Sequence, residues 1–246
     1  MPAPTLRIAH CSDIHLDADD HAPQIYRTAF MRTLQAMARS QPDLLLLAGD
    51  LFDANDASTD TIHWAMQVLG DQPCPVVMIP GNHDCLLDNA IYRRHDFNAI
   101  DNVTLLMDPA GETRIIESLS VAVWGKGMLD HSPAHRPLQG CPTRPSGVRW
   151  YLGMGHGIYV PEGADTDRSS PVHEHEIGDS GCDYVALGHH HAALQVEARG
   201  TTGAWCGSPT DLVGGAATWA LVELSDPAPG RTAAADVQIQ VLDPEH

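Results

Sequence analysis

Short polar motifs follow apolar runs at five places in the chain, and this pattern constrains the fold more than any other feature. The motifs are SDIH at 12–15, GDLFD at 49–53, GNHD at 81–84, GHG at 155–157 and GHHH at 188–191. In open α/β sheets, ligands bind outside the carboxyl ends of the strands, so residues distant in sequence meet there. The five motifs therefore predict one shared site at one edge of the fold.

Most polar side chains in these motifs are ones that bind divalent metals. They combine carboxylates and imidazoles with one amide oxygen, a mixed ligand set that suits transition metals. The candidate ligands are Asp13, His15, Asp50, Asn82, His156, His189 and His191. Residues i and i+2 of an extended segment point to the same side, so Asp13 and His15 can face one metal. We therefore expect a dinuclear metal site.

Apolar runs and helical patterns alternate through the first hundred residues. The runs at 43–50 and 75–82 are typical of strands buried on both faces of a largely parallel sheet, and 6–9 also predicts a strand. Residues 23–39 and 58–69 have a helical pattern, with Ser58 as a candidate cap. A third, weaker helical pattern covers residues 86–100.

Strand-like runs dominate the rest of the chain. They begin at Val103, Arg114, Val121, Val148, Tyr184, Ala204, Thr218 and Val237. This predicts a second, mixed or antiparallel sheet packed on the first, and thus an α/β fold of two packed mixed sheets flanked by helices. Without a linker or repeat, we expect a single domain over 1–246. Segments 125–147 and 161–176, rich in Gly, Pro and Ser, are predicted to be long loops over one end.

The chain is strongly acidic, which bears on its partners. It has 14 Lys and Arg residues against 32 Asp and Glu residues, a net charge of −18. Two bound divalent cations would leave −14. Tight binding to nucleic acid depends on neutralising phosphates, so this balance disfavours it, while a local basic groove stays open as an alternative.

Three further features predict a cytoplasmic protein. The six cysteines show no C-x-x-C spacing, so we expect reduced and mostly buried thiols. No apolar stretch approaches the roughly 20 residues of a membrane span. The first strand and Asp13 follow the N-terminus so closely that a signal peptide has no room.

The ordered motifs D-x-H, G-D-x-x-D, G-N-H-D, G-H and G-H-x-H resemble the calcineurin-like metallophosphoesterase superfamily, from Ser12 to about His191. The resemblance implies a four-layer αββα sandwich. It also implies two metal positions bridged by Asp50. Asp13, His15 and His191 would bind one metal, and Asn82, His156 and His189 the other.

Such a site would hydrolyse phosphate esters. Two metals about 3.5–4 Å apart can share a hydroxide and clamp the attacking and leaving oxygens of a phosphoryl transfer. Only two of the expected ligands are carboxylates, so the site should stay cationic and attract phosphate. The imidazole-rich ligand set disfavours a pure Mg²⁺ site. We expect Mn²⁺, with Fe, Zn and Mg as alternatives.

His83 and Asp84 are the expected catalytic residues beyond the metal ligands. The resemblance implies that His83 contacts the phosphate, with protonation of the leaving oxygen as a further role. Asp84 would orient the His83 imidazole and raise its proton affinity. Asp53 is expected to form a hydrogen bond with a metal ligand.

Several passages are similar to SbcD-like DNA repair exonucleases, among them HCSDIHL, LLLLAGDLFDAND, CDYVALGHHHAA and WCGSPTDL. That resemblance implies an ABC-type ATPase partner and a capping domain that helps to hold DNA. No capping domain is evident, because only about 55 residues follow His191. These passages lie mainly around the metal-binding loops, which determine the type of reaction rather than the choice of substrate.

Three functions therefore stay open. The first is a phosphodiesterase or exonuclease-like enzyme acting on nucleic acid or nucleotides. The second is a small-molecule phosphomonoesterase or nucleotidase. The third is a non-catalytic scaffold, which is disfavoured because every ligand position and the His83–Asp84 pair are present.

A basic segment lies between residues 126 and 150. Its net charge is +3, from Lys126, Arg136, Arg144 and Arg149 against Asp130. One hypothesis is that this segment overhangs the site, where Arg136 and Arg144 contact substrate phosphate. The alternative is a solvated surface loop.

Histidines outside the proposed scheme have plainer interpretations. His190, between two candidate ligands, is expected to point away from them. His173 and His175 have a spacing that suits a metal, but a solvated polar loop is the simpler interpretation. His131, His135 and His95 are interpreted in the same way, with substrate contact as the alternative.

Overall fold

The computed structural model describes residues 4–19, 22–210, 215–226 and 232–242. In these ranges the strands are β1 (Thr5–Cys11), β2 (Leu44–Ala48), β3 (Val76–Ile79), β4 (Val103–Leu105), β5 (Glu112–Ile116), β6 (Val121–Gly125), β7 (Trp150–His156), β8 (Ile158–Val160), β9 (Pro171–His173), β10 (Tyr184–Gly188), β11 (Leu194–Ala198), β12 (Thr201–Trp205), β13 (Thr218–Ser225) and β14 (Ala235–Val241). The helices are α1 (Pro23–Arg39), α2 (Thr59–Gly70), α3 (Ile91–Arg94) and α4 (Glu174–Asp179).

Two six-stranded mixed sheets form the centre of the molecule. The first has the order β14-β13-β1-β2-β3-β4 and is parallel from β1 to β4. The second has the order β11-β12-β10-β7-β6-β5 and is parallel from β12 to β6. Strands β8 and β9 pair separately. The predicted fold class of two packed mixed sheets flanked by helices is confirmed.

The sheets pack face to face because their central strands are apolar on both sides. Every residue of β2 and β3 is buried. Leu46 and Val77 of the first sheet lie in one core cluster with Leu152 and Ala186 of the second. Leu47 belongs to the core on the outer face of the first sheet. Parallel strands covered on both faces require this continuous apolar character.

Helices α1 and α2 cover the outer face of the first sheet, where Phe30 and Ile62 join its core. Helix α1 has the predicted boundaries, with a proline in its first turn. Helix α2 begins after Ser58, whose hydroxyl accepts the Thr61 N–H at 3.2 Å, so the predicted cap is confirmed. None of the helices in the described ranges is long and apolar enough to cross a bilayer.

The outer face of the second sheet is covered by α4 and by the long segment that joins β6 to β7. Ile177 of α4 and Leu138 of that segment lie in one cluster with Tyr151 and Trp205. The predicted loop 125–147 has no helix or strand after Gly125, the last residue of β6, and the irregular segment continues to residue 149. The second predicted loop, 161–176, is irregular only as far as residue 170, where β9 and then α4 begin.

Two predictions about secondary structure were wrong. The segment 86–100 forms only α3 and a 3₁₀ turn at Phe97–Ala99. Its first part is held by Asn55, whose side chain bonds the Cys85 carbonyl and the Ile91 N–H. Strands β4, β13 and β14 were expected in the second sheet and pair in the first instead. Local patterns identify a strand but not its partner.

Candidate metal centre

The five motifs meet at one edge of the paired sheets, as predicted. They follow or end the parallel strands β1, β2, β3, β7 and β10, whose carboxyl ends point the same way within each sheet. His156 is the last residue of β7 and pairs with Gly188 at the end of β10. Strand direction therefore explains why these side chains converge.

Four of the converging residues have left-handed backbone conformations. The φ angles are 58° for Asp13, 53° for His15, 54° for Asp50 and 95° for His189. Positive φ costs a non-glycine residue energy, and such residues cluster at functional sites. The extended geometry expected for Asp13 and His15 was wrong, although both side chains face the same point. A turn, rather than strand alternation, brings them together.

Two hydroxyl side chains hold that turn in place. Ser208 Oγ donates to the Asp13 carbonyl oxygen at 2.7 Å, and Thr210 Oγ1 donates to the Ile14 carbonyl oxygen at 3.0 Å. The Asp13 N–H donates to the Gly49 carbonyl oxygen at 3.1 Å. Sequence analysis did not single out Ser208 or Thr210. Their only signal was the WCGSPTDL passage in which they lie.

The first group of ligating atoms comes from Asp13, His15 and His191, which lie within 4.8 Å of one another. The Nε2 atoms of His15 and His191 are 3.2 Å apart. His191 Nε2 lies 3.7 Å from Asp13 Oδ1. His15 Nδ1 donates to Asp53 Oδ1 at 3.0 Å, which leaves its Nε2 lone pair facing this group. The hydrogen bond predicted between Asp53 and a candidate ligand is confirmed.

The second group surrounds the side-chain oxygen of Asn82. His189 Nδ1 lies 2.8 Å from Asn82 Oδ1, and His156 Nε2 lies 3.0 Å from it. His156 Nδ1 donates to the Ala48 carbonyl oxygen at 2.7 Å. That bond fixes the ring orientation and directs Nε2 towards the oxygen atoms.

Asp50 lies between the two groups. Its Oδ2 is 3.2 Å from His156 Nε2 and 4.0 Å from His15 Nε2, while Oδ1 accepts the His83 N–H at 2.8 Å. Burial alone would raise the pKa of Asp50, but the neighbouring imidazoles outweigh it and hold that pKa below its ordinary value. Burial would lower the pKa of His156, whereas Asp50 raises it to about 10.

This arrangement fits a divalent cation. Oxygen atoms of Asp50 and Asn82 both approach His156 Nε2, so the buried space between them favours a positive charge. Three sets of side chains each place their ligating atoms close enough together to hold one ion. The sets are Asp13, His15 and His191; His15, Asp50 and His83; and Asp13, Asp50 and His156. Imidazole, carboxylate and amide oxygen are the ligands that transition metals accept.

His83 lies at the surface of this site, with 41% of its side chain exposed. Its Nδ1 donates to the Asp53 carbonyl oxygen at 2.7 Å and lies 3.5 Å from Asp53 Oδ1. Its ring packs edge-on against His15, with centroids 4.6 Å apart. Both histidines line an open cleft of about 380 Å³ with Asp53 and His191. A substrate in this cleft can therefore touch His83.

Asp84 is not positioned to orient His83 as the sequence suggested. Its buried carboxylate accepts the N–H groups of Gly81, Leu51 and Phe52 and the hydroxyl of Tyr92. It therefore joins the GDLFD and GNHD loops to each other. Burial and the charge of Asp50 raise the Asp84 pKa to about 6. The group that orients His83 is Asp53.

His190 points away from the site, as predicted. Its Nε2 accepts the Tyr159 N–H at 3.0 Å, and its ring packs edge-on against Trp205. The flanking His189 and His191 face the site from either side. The rings of His173 and His175 lie tilted against each other, with centroids 5.5 Å apart.

Cationic side chains of the basic segment contact carbonyl oxygens and carboxylates of the protein itself. Lys126 Nζ donates to the carbonyl oxygens of Arg136 and Gln139. Arg136 pairs with Glu176 at 2.9 Å, and Arg144 pairs with the fully buried Asp183. These contacts fold the segment onto the second sheet. The contact of Arg136 and Arg144 with substrate phosphate stays a hypothesis, in which both guanidinium groups would have to serve an internal carboxylate as well.

The sequence from residue 6 to residue 193 matches the family described as calcineurin-like phosphoesterase. The chain belongs to this family. The family is one of phosphoesterases that use divalent metals. The candidate ligand groups at the strand ends agree with that membership.

Relatives and solved structures extend the comparison. A probable cyclic nucleotide phosphodiesterase of Fibrobacter succinogenes is 39% identical over 88 residues, which cover 35% of this chain and 34% of that protein. One from Pseudoalteromonas sp. is 38% identical over 82 residues, 32% of this chain and 31% of that protein. The chain thus spans about a third of these curated relatives. The crystal structure of TT1561 of Thermus thermophilus superposes on 98% of this chain and over 100% of its own length, with a TM-score of 0.61. The two sequences are 12% identical, so the similarity is one of fold.

Proposed function

We propose that this metallophosphoesterase is a phosphodiesterase with a dinuclear Mn²⁺ centre. The observation that carries the proposal is the position of Asp50, whose carboxylate lies between a group containing His15 and a group containing His156. A carboxylate has two oxygens and can serve two cations at once. Two relatives, both named as probable cyclic nucleotide phosphodiesterases, support the choice of a diester.

Each metal would have three ligands besides the shared carboxylate. Asp13, His15 and His191 would hold one ion, and Asn82, His156 and His189 the other. Bound divalent ions supply Lewis acidity towards the phosphoryl oxygens and lower the pKa of water at the site. Iron, zinc and magnesium remain alternatives to manganese, because availability often decides among metals with similar ligand preferences.

His83 would contact the substrate's phosphate. Its Nδ1–H donates to the Asp53 carbonyl oxygen, so its Nε2 is free to meet a phosphoryl or leaving oxygen. The exposed ring borders the cleft, which gives a substrate access to it. Asp84, which joins the two metal-binding loops, is a positioning residue in this proposal rather than a group that touches substrate.

Small diesters fit the chain better than nucleic acid does. The net charge of −18 repels polyanions, and the cations of the basic segment are engaged in internal contacts. We propose a small phosphodiester, such as a cyclic nucleotide, as the substrate class. A single domain over 1–246, exonuclease-like activity, an ABC-type ATPase partner and a cytoplasmic location stay predictions, as does the alternative of a phosphomonoesterase or nucleotidase.

Hydrolysis assays with four substrates test the proposal. Mn²⁺-loaded protein should hydrolyse bis(p-nitrophenyl) phosphate and cyclic AMP faster than p-nitrophenyl phosphate or single-stranded DNA. His83→Ala should lower kcat by about 100-fold or more, the range for losing a proton-transfer group. His63→Ala, on the exposed face of α2, is the matched control and should be unchanged. Turnover of the monoester alone would indicate a phosphatase, and no turnover of any substrate would indicate a scaffold.

A further inference from the structure

Nearly every cationic side chain in the described ranges has a partner inside the protein. The ion pairs are Arg7–Glu223, Arg27–Asp60, Arg114–Glu112, Arg136–Glu176, Arg144–Asp183, Arg149–Asp226 and Arg199–Asp179. Arg39, at the end of α1, and Arg168 differ: within the part of the chain that the structure describes, neither guanidinium has an ion pair or a hydrogen bond. Arg168 is exposed on the loop before β9.

The loop that carries Arg168 is fastened to a second loop, which borders the metal centre through His131. The Ser170 N–H donates to the Ser132 carbonyl oxygen at 3.1 Å. That bond joins the loop carrying Arg168 to the loop carrying His131. Arg168 lies two residues before Ser170 and His131 one residue before Ser132, so the bond brings the two residues together. The charge of Arg168 lowers the pKa of both His131 and His190.

His131 faces the candidate site. Its ring packs edge-on against His189, with centroids 5.6 Å apart. Burial lowers the pKa of His131, and the charges of His156, His83 and Arg168 lower it further, whereas Asp50 opposes them. His131 is therefore close to residues of the candidate site.

Two imidazoles therefore border the site at different ligand groups. His83 packs against His15, and His131 packs against His189. His15 belongs to the group that contains His191, whereas His189 belongs to the group around Asn82. A phosphoryl group at the centre would thus meet one imidazole beside each group. The His83 imidazole alone would leave the Asn82 side of the phosphate without a side-chain donor.

We propose that His131 and Arg168 bind the substrate's phosphate from the side of Asn82, a role that rests on the proposed phosphoesterase function. An arginine presents several N–H donors in a planar fork that matches phosphate oxygens. An imidazole N–H from His131 would donate to a further oxygen. In a chain of net charge −18, this cation also attracts the anionic substrate to the site.

Isothermal titration of inorganic phosphate into Mn²⁺-loaded protein tests this assignment. His131→Gln and Arg168→Gln should each weaken phosphate binding by about tenfold, as expected for losing one charge-assisted hydrogen bond. Arg168→Lys should recover part of the affinity because it keeps the charge. His63→Gln, an exposed histidine on α2, is the matched control and should bind phosphate like the native chain.

A second titration, of Mn²⁺ into the metal-free variants, separates substrate contact from support of His189. Unchanged Mn²⁺ affinity with weaker phosphate binding supports the proposal. Phosphate affinity unchanged in both variants would overturn it, as would a parallel loss of Mn²⁺ affinity in His131→Gln. If the native Mn²⁺-loaded protein neither binds phosphate nor hydrolyses any ester, the proposed function itself falls and takes this assignment with it.

The steady-state constants give an independent readout. Both glutamine variants should raise KM more than they lower kcat, because the contact forms in the ground state as well as the transition state. The rise caused by Arg168→Gln should be larger for p-nitrophenyl phosphate, a dianion at pH 8, than for the monoanionic bis(p-nitrophenyl) phosphate. An equal rise for both substrates would contradict a direct charge contact by Arg168.

Discussion

The Asp53 carboxylate lies 3.0 Å from Nδ1 of His15 and determines which nitrogen of that ring faces the candidate metal centre. The same residue also holds His83, whose Nδ1 donates to the Asp53 main-chain carbonyl oxygen at 2.7 Å and lies 3.5 Å from the carboxylate. Carboxylates that hold a ligating histidine fix its tautomer and raise its basicity. Asp53 thus connects the metal site to the proposed phosphate contact.

Asp53→Asn should weaken Mn²⁺ binding by about 10- to 100-fold, the range observed for residues that orient metal ligands. It should also lower kcat, because His83 loses a neighbouring charge. Titration of Mn²⁺ into the metal-free protein measures the first effect. Asp71→Asn, at the exposed end of α2, is the control. Equal Mn²⁺ affinity in the native protein and Asp53→Asn would contradict the role assigned to this carboxylate.

The metal-free protein should lose stability as the pH rises from 6.5 towards 10. Burial lowers the pKa of His156, but Asp50 raises it from 6.5 to about 10 overall. A histidine whose pKa is higher in the folded state than in the unfolded state stabilises the fold when it is protonated. This stabilisation is complete at pH values below the unfolded-state pKa and is lost as the pH rises through the folded-state pKa. Thermal unfolding in EDTA across this range measures the loss.

Asp50→Asn tests the cause of that pH dependence. Without the carboxylate, the His156 pKa should return towards its ordinary range, and the decline above pH 6.5 should flatten. With saturating Mn²⁺, the stability of the native protein should rise over this pH range instead of falling, because ligand imidazoles must lose their protons to bind metal. A decline of the same slope in Asp50→Asn would show that other groups produce it.

Gly188→Ala should destabilise the protein by about 2–3 kcal/mol and weaken metal binding. A Cβ at this position would lie 2.0 Å from the Ala48 carbonyl oxygen and 2.6 Å from His156 Nδ1, the two atoms that form the ring-orienting hydrogen bond. Urea unfolding and Mn²⁺ titration measure the two effects. Gly70→Ala, whose new Cβ would meet only a side-chain methyl at 3.2 Å, is the control. Similar losses in both variants would argue against a specific effect on His156.

Ser208→Ala should cost about 1 kcal/mol of stability and lower Mn²⁺ affinity. The variant removes the 2.7 Å hydrogen bond to the Asp13 carbonyl oxygen, which helps to hold Asp13 at positive φ. Ser40→Ala is the control, because it removes a similar hydrogen bond, from the Ser40 hydroxyl to a carbonyl oxygen at 2.6 Å, at the end of α1 and outside the site motifs. If Ser208→Ala lost stability but kept native Mn²⁺ affinity, the hydroxyl would serve the fold alone.

The sequence predicted the strand ends, both long helices and the convergence of the five motifs, because each rests on local patterns and on the direction of parallel strands. It did not predict the turn at Asp13 and His15, since positive φ in residues other than glycine has no clear sequence signal. Ser208 and Thr210, which hold this turn, lie nearly 200 residues away.

Side-chain partners were the least predictable part of the site. Adjacency in sequence suggested that Asp84 orients His83, but Asp84 turns into the protein and Asp53 takes that role. Arg136 pairs with Glu176, 40 positions further along the chain. Such pairs depend on how distant segments pack, which a local motif does not encode.

Titration of the metal-free protein with Mn²⁺, followed by calorimetry and low-temperature electron paramagnetic resonance, would show whether Asp50 bridges two ions. We expect two Mn²⁺ ions per chain with a spin-coupled spectrum, and loss of the coupling in Asp50→Ala. One ion per chain, or two uncoupled ions in the native protein, would contradict a centre bridged by Asp50.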